Sequence, residues 1–306
     1  MKIVVLDGYT TNPGDLSWDK LKELGDFTVY DRTAPEEIIE RAKDADVVLI
    51  NAVDLPADIL TQLPKLKLIS LLATGYNNVD IPTAKAQGIA VCNTPSYSTE
   101  AVSQHTIALL LELTNHVALH SEAVHNGAWH KCPDDCFCIK PLSLLAGKTL
   151  GIVGYGSIGK RVGRIAEALG MTVIPYSKDP EAAIKADVLS LHCPVTPDNR
   201  NMINAEFISR MKDGAIFLNT ARGGLVDEDA LLEALQSGKI AAAGIDVIKT
   251  EPPKESESNP LIGAPNCFIT PHHAWMPQET RQVLLDCAYK NIQSFTNGDS
   301  LNRVDL

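Results

Sequence analysis

TLGIVGYGSIGKRVG, residues 149–163, decides the fold. A short apolar run ends in Gly154-Tyr155-Gly156-Ser157-Ile158-Gly159, and a helical pattern follows at once. A lone G-x-G-x-x-G is weak evidence. One placed between a strand and a helix predicts a dinucleotide-binding turn. The three glycines differ in what they allow. Gly154 permits the tight turn, Gly156 lets the backbone approach a pyrophosphate, and Gly159 lets helix and strand pack closely. The helix start then offers free N–H groups and the positive end of its dipole to the phosphates. The blander reading is a glycine-rich turn that holds nothing.

Outward from this turn, apolar runs alternate with helical patterns. Toward the C-terminus, strands are expected at 172–176, 187–191, 215–219, 242–247 and 268–270, and a helix at 277–295. Toward the N-terminus, strands are expected at 2–6 (KIVVL), 27–30, 45–50 (ADVVLI), 66–72 (LKLISLL) and 89–92, with helices at 18–24 and 35–43. Pro64, Pro82 and Pro95 fall between elements, where a missing N–H costs nothing. This alternation predicts an α/β protein of parallel sheets covered by helices on both faces. Residues 99–126 predict one long helix, stopped by Gly127 and Pro133. A weak internal echo joins Lys43-Asp44-Ala45-Asp46-Val47 to Lys185-Ala186-Asp187-Val188; two related lobes, or chance, would both produce it.

Length and composition bound the function. At roughly 150 residues per domain, 306 residues suggest two domains. Hydrophobic residues make up 45% and charged residues 21%, which argues against disorder. Lys+Arg 27 against Asp+Glu 38 leaves −11, which counts against nucleic acid or an anionic membrane as partner. No apolar run approaches the roughly 18 residues of a spanning helix, and the N-terminus lacks a signal-peptide core. Seven cysteines, an odd number spread from Cys92 to Cys287, suit a reducing cytoplasm better than a disulfide framework.

Three charged groups follow strands of the second series: Arg222 after 215–219, Glu251 after 242–247, and His272 after 268–270. In an open parallel sheet the strand C-termini face the ligand crevice. A cation, a carboxylate and an imidazole there suit carbonyl reduction beside a carboxylate. Arg binds a carboxylate or carbonyl through its forked donors. His passes a proton to or from the C2 oxygen, and a carboxylate on its other nitrogen orients the ring. Taken singly, Arg222 or Glu251 reads as a solvated charge and His273 as structural. On the adenosine side, the position that usually carries an acidic residue for the ribose 2′-OH is Ser177, followed by Lys178 and Asp179. Ser177 with Lys178 would accept the 2′-phosphate of NADP; Asp179 swinging in would serve NAD.

GYGSIG, NTARGGLVDEDAL (219–231), Asp246 through Glu251-Pro252, and TPHHAW (270–275) together resemble the D-isomer-specific 2-hydroxyacid dehydrogenases over nearly the whole chain. LLATGYNNVDI (71–81) and LDGYTTNPGDLSW (6–18) look closest to the glycerate dehydrogenase/hydroxypyruvate reductase branch. The resemblance implies two Rossmann-like or flavodoxin-like lobes: a discontinuous substrate lobe (1–98 and 277–306) and a dinucleotide-binding lobe (99–276). It implies catalytic places for Arg222, Glu251 and His272. It assigns the substrate carboxylate to Ala73, Thr74 and Gly75, the nicotinamide carboxamide to Asp246, and the cofactor lining to Ser157, Ile158, Cys193, Pro194 and Thr220. It also implies NAD or NADP as cofactor, hydroxypyruvate or glyoxylate as substrate, and a homodimer. Two departures stand out: Ser177 replaces the usual acidic residue, and residues 176–187 are shorter than the pattern.

Other features carry less. Cys132, Cys136 and Cys138 lack the paired spacing of a zinc site, so no metal is expected. His116 and His120 lack the Glu of H-E-x-x-H. Lys160, Arg161 and Arg164 read as a solvated helix face. Trp275 is the better candidate wall of the substrate pocket; Trp129 is open between that role and core packing. Lys65, Lys67 and Lys85 form no clear cluster for a phosphorylated substrate. The alternative function is a corepressor-like interaction protein that binds a dinucleotide on the same scaffold.

Overall fold

The computed structural model describes residues 1–254 and 259–306. The chain divides into two compact units, Met1–Ser98 with Trp275–Leu306, and Thr99–Ala274. In the first unit, β1 (Lys2–Val5), β2 (Asp26–Val29), β3 (Val47–Ile50), β4 (Leu68–Leu71) and β5 (Ala90–Cys92) form a parallel sheet in the order β2-β1-β3-β4-β5. Its connections carry α1 (Asp19–Lys22), α2 (Ile38–Ala42), α3 (Ala57–Leu60) and α4 (Ile81–Ala86). Side chains alternate between the faces of a strand. Ile3 and Val5 therefore pack with Leu284, Leu285, Ala288 and Ile292 of the C-terminal helix Gln278–Thr296, while Val4 packs with Ile38, Ala42 and Leu60. Burial on both faces explains why these strands read as unbroken apolar runs.

The strand order of this unit reverses between β1 and β3. There Asp7 closes the sheet edge: its Oδ1 accepts the Asn51 N–H (2.8 Å), and its Oδ2 accepts those of Ala52 (2.6 Å) and Val53 (2.9 Å).

The second unit opens with α5 (Thr99–Asn115) and α6 (Val117–His125). Its sheet is β11-β10-β9-β8-β6-β7, all parallel: β6 (Thr149–Val153), β7 (Thr172–Pro175), β8 (Val188–Leu191), β9 (Ala215–Asn219), β10 (Ile240–Ile245) and β11 (Cys267–Ile269). Between strands lie α7 (Ser157–Ala168), α8 (Pro180–Ile184), α9 (Ala205–Arg210) and α10 (Glu228–Ser237). One face packs on α5 and α7 through Leu109, Leu110, Val162 and Ala166; the other packs on α9 and α10 through Phe207, Ile208 and Leu231. A Cβ on Gly244 of β10 would lie 3.1 Å from the Leu109 Cβ and 2.9 Å from Leu218, so this glycine sets how closely α5 seats.

The expected single helix over 99–126 is corrected to two. His116 adopts a left-handed conformation (φ 49°) between α5 and α6. The side chain of Glu112 accepts the Ala118 N–H (3.2 Å), a local cap made without glycine or proline. The buried stripe ends there too, since α6 buries none of its residues.

The internal echo has a structural counterpart. Asp46, ahead of β3, accepts the Lys2 N–H of β1 (2.8 Å) and pairs with Lys67 (2.8 Å). Asp187, ahead of β8, accepts the Thr149 N–H of β6 (2.8 Å) and pairs with Lys212 (2.6 Å). Each aspartate staples the first strand of its sheet to the approach of a third. Among the described residues no helix is long and apolar enough to cross a membrane.

Candidate active site

The order of the second sheet reverses between β6 and β8, which in such sheets is where a ligand crevice opens. The loop after β6 is shaped for one. Gly154 has φ 92°, and a Cβ there would stand 2.5 Å from the Cys193 backbone nitrogen. A Cβ on Gly159 would stand 2.3 Å from the Gly154 carbonyl, whereas one on Gly156 would meet nothing within 4 Å. Two glycines thus let backbone pack on backbone, and the third faces open space. Side chains of Asp179, Asn204 and Asp227 cap α8, α9 and α10, but α7 has no side-chain cap and no acidic residue in its first turn. Its leading N–H groups, on Ser157, Ile158 and Gly159, suit a pyrophosphate. The residues present therefore fit a dinucleotide.

On the adenosine side, Ser177 and Lys178 are exposed after β7, and the Lys178 ammonium has no partner among the described residues. Asp179 is engaged: its carboxylate accepts the Ala182 N–H (3.0 Å) as the cap of α8. One five-residue helix, α8, makes the whole connection from β7 to β8, which is the short segment seen in the sequence. Cys193 and Pro194 follow β8, and burial pushes the Cys193 thiol up, keeping it protonated. Thr220 is buried with its hydroxyl 2.8 Å from that of Thr106 in α5. Arg161 pairs with Glu100 (2.8 Å) and so belongs to the α5–α7 contact.

Arg222, Glu251 and His272 follow the C-terminal ends of β9, β10 and β11, three neighbouring strands. His272 Nδ1 lies 2.6 Å from Glu251 Oε2, and Glu251 Oε1 accepts the Ile248 N–H (2.8 Å). The carboxylate is thereby held at both oxygens, and the ring's Nε2 has no hydrogen-bond partner among the described residues. Arg222 is exposed; Asn219 Nδ2 donates to its carbonyl (3.0 Å), and its own Nη1 donates to the Ala221 carbonyl (2.7 Å).

Residues that sequence reasoning missed hold these loops. A Cβ on Gly223 would stand 2.0 Å from the Ile248 carbonyl carbon, so the Arg222 turn packs directly on the approach to Glu251. Buried Glu228 accepts the Lys249 N–H (2.7 Å) and Asn259 Nδ2 (2.8 Å), and burial pushes its carboxyl up. Gly223 and Glu228 lie inside the quoted NTARGGLVDEDAL stretch, but spacing alone does not reveal what they touch.

Asp246 is 2% exposed and faces the His272 turn. Its Oδ1 accepts the Thr270 hydroxyl (2.6 Å) and the His273 N–H (3.1 Å), its Oδ2 accepts the Ala274 N–H (3.1 Å), and its carbonyl accepts the His272 N–H (2.8 Å). Both carboxylate oxygens are engaged within the loop. His272 itself has φ 50°. That conformation costs a non-glycine residue roughly 1–2 kcal/mol, which the bonds to Asp246 offset. His105 of α5 joins the group, with Nε2 2.9 Å from the Thr270 hydroxyl and its ring edge-on to that of His273. Burial, with the nearby His273, pushes the His105 imidazole down despite Asp246. His273, expected to be structural, is part of this group. Ligand atoms of His105, Asp246 and His273 lie within 4.8 Å of one another; Asp246 and His105 Nε2 take part in the hydrogen bonds just described.

In the first unit, the carbonyls of Ala73 and Thr74 accept from the Thr94 N–H (2.9 Å) and Asn93 Nδ2 (2.8 Å), and the Thr74 hydroxyl donates to the Thr94 carbonyl (2.7 Å). The N–H groups of Ala73, Thr74 and Gly75 have no partner among the described residues. A run of free amides with its carbonyls tied back suits an anion. Trp275 packs edge-on to Tyr97 (6.3 Å). Trp129 is not core packing: it is 50% exposed, and its indole N–H donates to the Asp135 carbonyl (3.2 Å). Lys65 and Lys67 are spent on Asp44 and Asp46.

Comparisons with known proteins give the family. Residues 107–274 match the family described as "D-isomer specific 2-hydroxyacid dehydrogenase, NAD binding domain". The chain is 48% identical over 323 aligned positions to a hydroxypyruvate reductase of Blautia hydrogenotrophica, covering 100% of both chains. It is 43% identical to a glycerate dehydrogenase of Methylorubrum extorquens, covering 92% of each. Among solved structures it resembles an acyclic imino acid reductase in complex with NADPH and D-Arg, with a TM-score of 0.87 at 30% identity over 99% of this chain and 100% of that one. The corepressor-like alternative finds no support in these relatives.

Proposed function

Because the chain belongs to the D-isomer-specific 2-hydroxyacid dehydrogenase family, we propose that it reduces hydroxypyruvate or glyoxylate at C2 to D-glycerate or glycolate. It is an oxidoreductase that uses a nicotinamide dinucleotide. The observation that carries the reading is the His272–Glu251 pair, 2.6 Å apart, on the sheet edge that also bears the phosphate loop.

When bound, the dinucleotide supplies a hydride to C2, and the chain's residues do the rest. Gly154, Gly156, Ser157, Ile158 and Gly159 hold the pyrophosphate. Cys193, Pro194 and Thr220 line the cofactor. Arg222 offers its forked donors to the substrate carboxylate or carbonyl. Within the first unit, the free amides of Ala73, Thr74 and Gly75 suit a carboxylate, and Trp275 is the substrate-facing candidate. His272 gives its Nε2 proton to the C2 oxygen, while Glu251, on Nδ1, orients the ring and compensates its charge. Asp246, which the resemblance assigns to the nicotinamide carboxamide, also holds the His272 turn.

Three finer assignments follow. NADPH is preferred, because Ser177 and Lys178 are exposed without an acidic neighbour free to hold a 2′-hydroxyl. The protein is a homodimer, because Val117, Trp129, Ile139, Leu142 and Leu144 expose an apolar stretch around and beyond α6. It works in a reducing cytoplasm, since all seven cysteines are free, and its net charge of −11 speaks against a nucleic acid partner.

The test is absorbance at 340 nm, with NADH and NADPH offered separately with hydroxypyruvate, glyoxylate, pyruvate and phosphohydroxypyruvate. Oxidation with hydroxypyruvate or glyoxylate is expected. His272→Gln should bind dinucleotide normally and lose turnover by on the order of 10²-fold or more. Near-normal turnover would remove the proton-transfer role.

A further inference from the structure

The hydrogen bonds behind the His272 turn have a direction. The Thr270 hydroxyl has one proton, and Asp246 Oδ1 at 2.6 Å takes it in preference to the Ile245 carbonyl at 3.5 Å. Asp246 is an acceptor at both oxygens, because two backbone N–H groups also point at it. His105 Nε2, 2.9 Å from Thr270 Oγ1, must therefore be the donor. A single chain runs from His105 Nε2–H to the Thr270 hydroxyl, to Asp246, and on to the amides of His273 and Ala274.

We propose that His105 is a positioning residue for the reaction: its Nε2–H, acting through Thr270 and Asp246, holds the left-handed turn that aims His272 at Glu251. His105 lies on α5, far in sequence from the loop it steadies, and touches neither His272 nor Glu251 in the hydrogen-bond pattern. The inference rests on His272 being the proton donor of the proposed reaction. The His105 side chain is 18% exposed, and this partial burial favours the neutral imidazole. The edge-on His273 ring covers the other side. Without the donor on Thr270, the hydroxyl is free to rotate away from Asp246, and the carboxylate loses one of the bonds that fix the turn.

The experiment compares isosteric variants in hydroxypyruvate reduction by NADPH, with dinucleotide binding followed by fluorescence. His105→Met keeps the volume and removes the donor; His105→Gln keeps both. We expect H105M to lose kcat on the order of tenfold, since small errors of aim are costly in a reacting pair. KM and dinucleotide Kd should stay within about twofold, the pattern of an interaction that acts on the chemical step. H105Q should recover most of the lost kcat. Thr270→Val and Thr270→Ser repeat the comparison one link along, and carry it alone if H105M does not fold. The double variant H105M/T270V should lose no more than T270V, because both break one chain.

Equal kcat in H105M and H105Q, or additive losses in the double variant, would overturn the proposal. H272Q separates this claim from the one beneath it. An active H272Q overturns both. An inactive H272Q beside indistinguishable H105M and H105Q overturns the positioning role alone.

Discussion

His192 sits where β8 ends, with Nε2 2.9 Å from the Ser190 hydroxyl and Nδ1 buried with no partner among the described residues. Burial pushes its imidazole down to about 3, so it folds neutral. The unfolded chain takes up that proton near pH 6.5. The folded value lies below the unfolded one, so between about pH 6.5 and 3 the unfolded state binds more protons. Its contribution is complete above pH 6.5 and is lost as pH falls through that window, by about 2–3 kcal/mol at pH 4.5. Urea unfolding at pH 7.5 and 4.5 checks this. Wild type should lose that much more stability than His192→Asn, and parallel losses would show a ring open to water. Single residues were also where the sequence was least legible. Arg222, Glu251 and His272 stand out because each follows a strand on one sheet edge. Asp246, Glu228 and His105 do not, because what a carboxylate or imidazole accepts and donates depends on neighbours far away in the chain.

The elements were easier to read. Strands buried on both faces announce themselves as apolar runs, and all the expected ones are present within a residue or two. The break between α5 and α6 was hidden because Glu112 caps it in place of glycine. The aspartate staples were half visible, as a repeated Lys-Ala-Asp or Asp-Ala-Asp ahead of a strand. Asp187 is opposed by burial, which raises its carboxyl, but Lys212 and the amide and hydroxyl of Thr149 outweigh that and hold it at about 2. A folded value below the unfolded one adds stability above about pH 4 and loses it as pH falls toward 2. Asp187→Asn should cost about 1–2 kcal/mol at pH 7, allowing for the exposure of Lys212, and about half that at pH 3. An unchanged difference at the two pH values would rule out the charge. The turn after β7 makes a second test. Ser177→Asp should shift the kcat/KM ratio from NADPH toward NADH by on the order of tenfold or more, through repulsion of the 2′-phosphate and a new acceptor for the 2′-hydroxyl. No shift would mean that Ser177 faces elsewhere.

At the scale of the whole molecule, the alternation of strands and helices announced two parallel sheets, and both are there. The proposed contact with a second copy was not written in any motif. It emerges from exposure, with Leu144 77% exposed, Val117 62% and Leu142 58%. Isolated apolar residues on a surface need no explanation, but a group on one stretch of chain does. Size-exclusion chromatography with light scattering should give twice the chain mass of 33.1 kDa. Leu142→Lys combined with Leu144→Lys should bring it to a single copy, and an unchanged mass would place the contact elsewhere.

The two sheets share a plan and differ at one spot. In the second, the place where strand order reverses is left to glycines and bare amides, ready for a visitor. In the first, Asp7 already stands there, its carboxylate clasped by three successive amides much as a phosphate would be. Because this anion is tethered to the chain, it never dissociates, and no free ligand at ordinary concentration displaces it easily. The first unit is in effect permanently self-liganded. The same architecture thus appears once as a receptor and once as a scaffold, and one aspartate marks the difference.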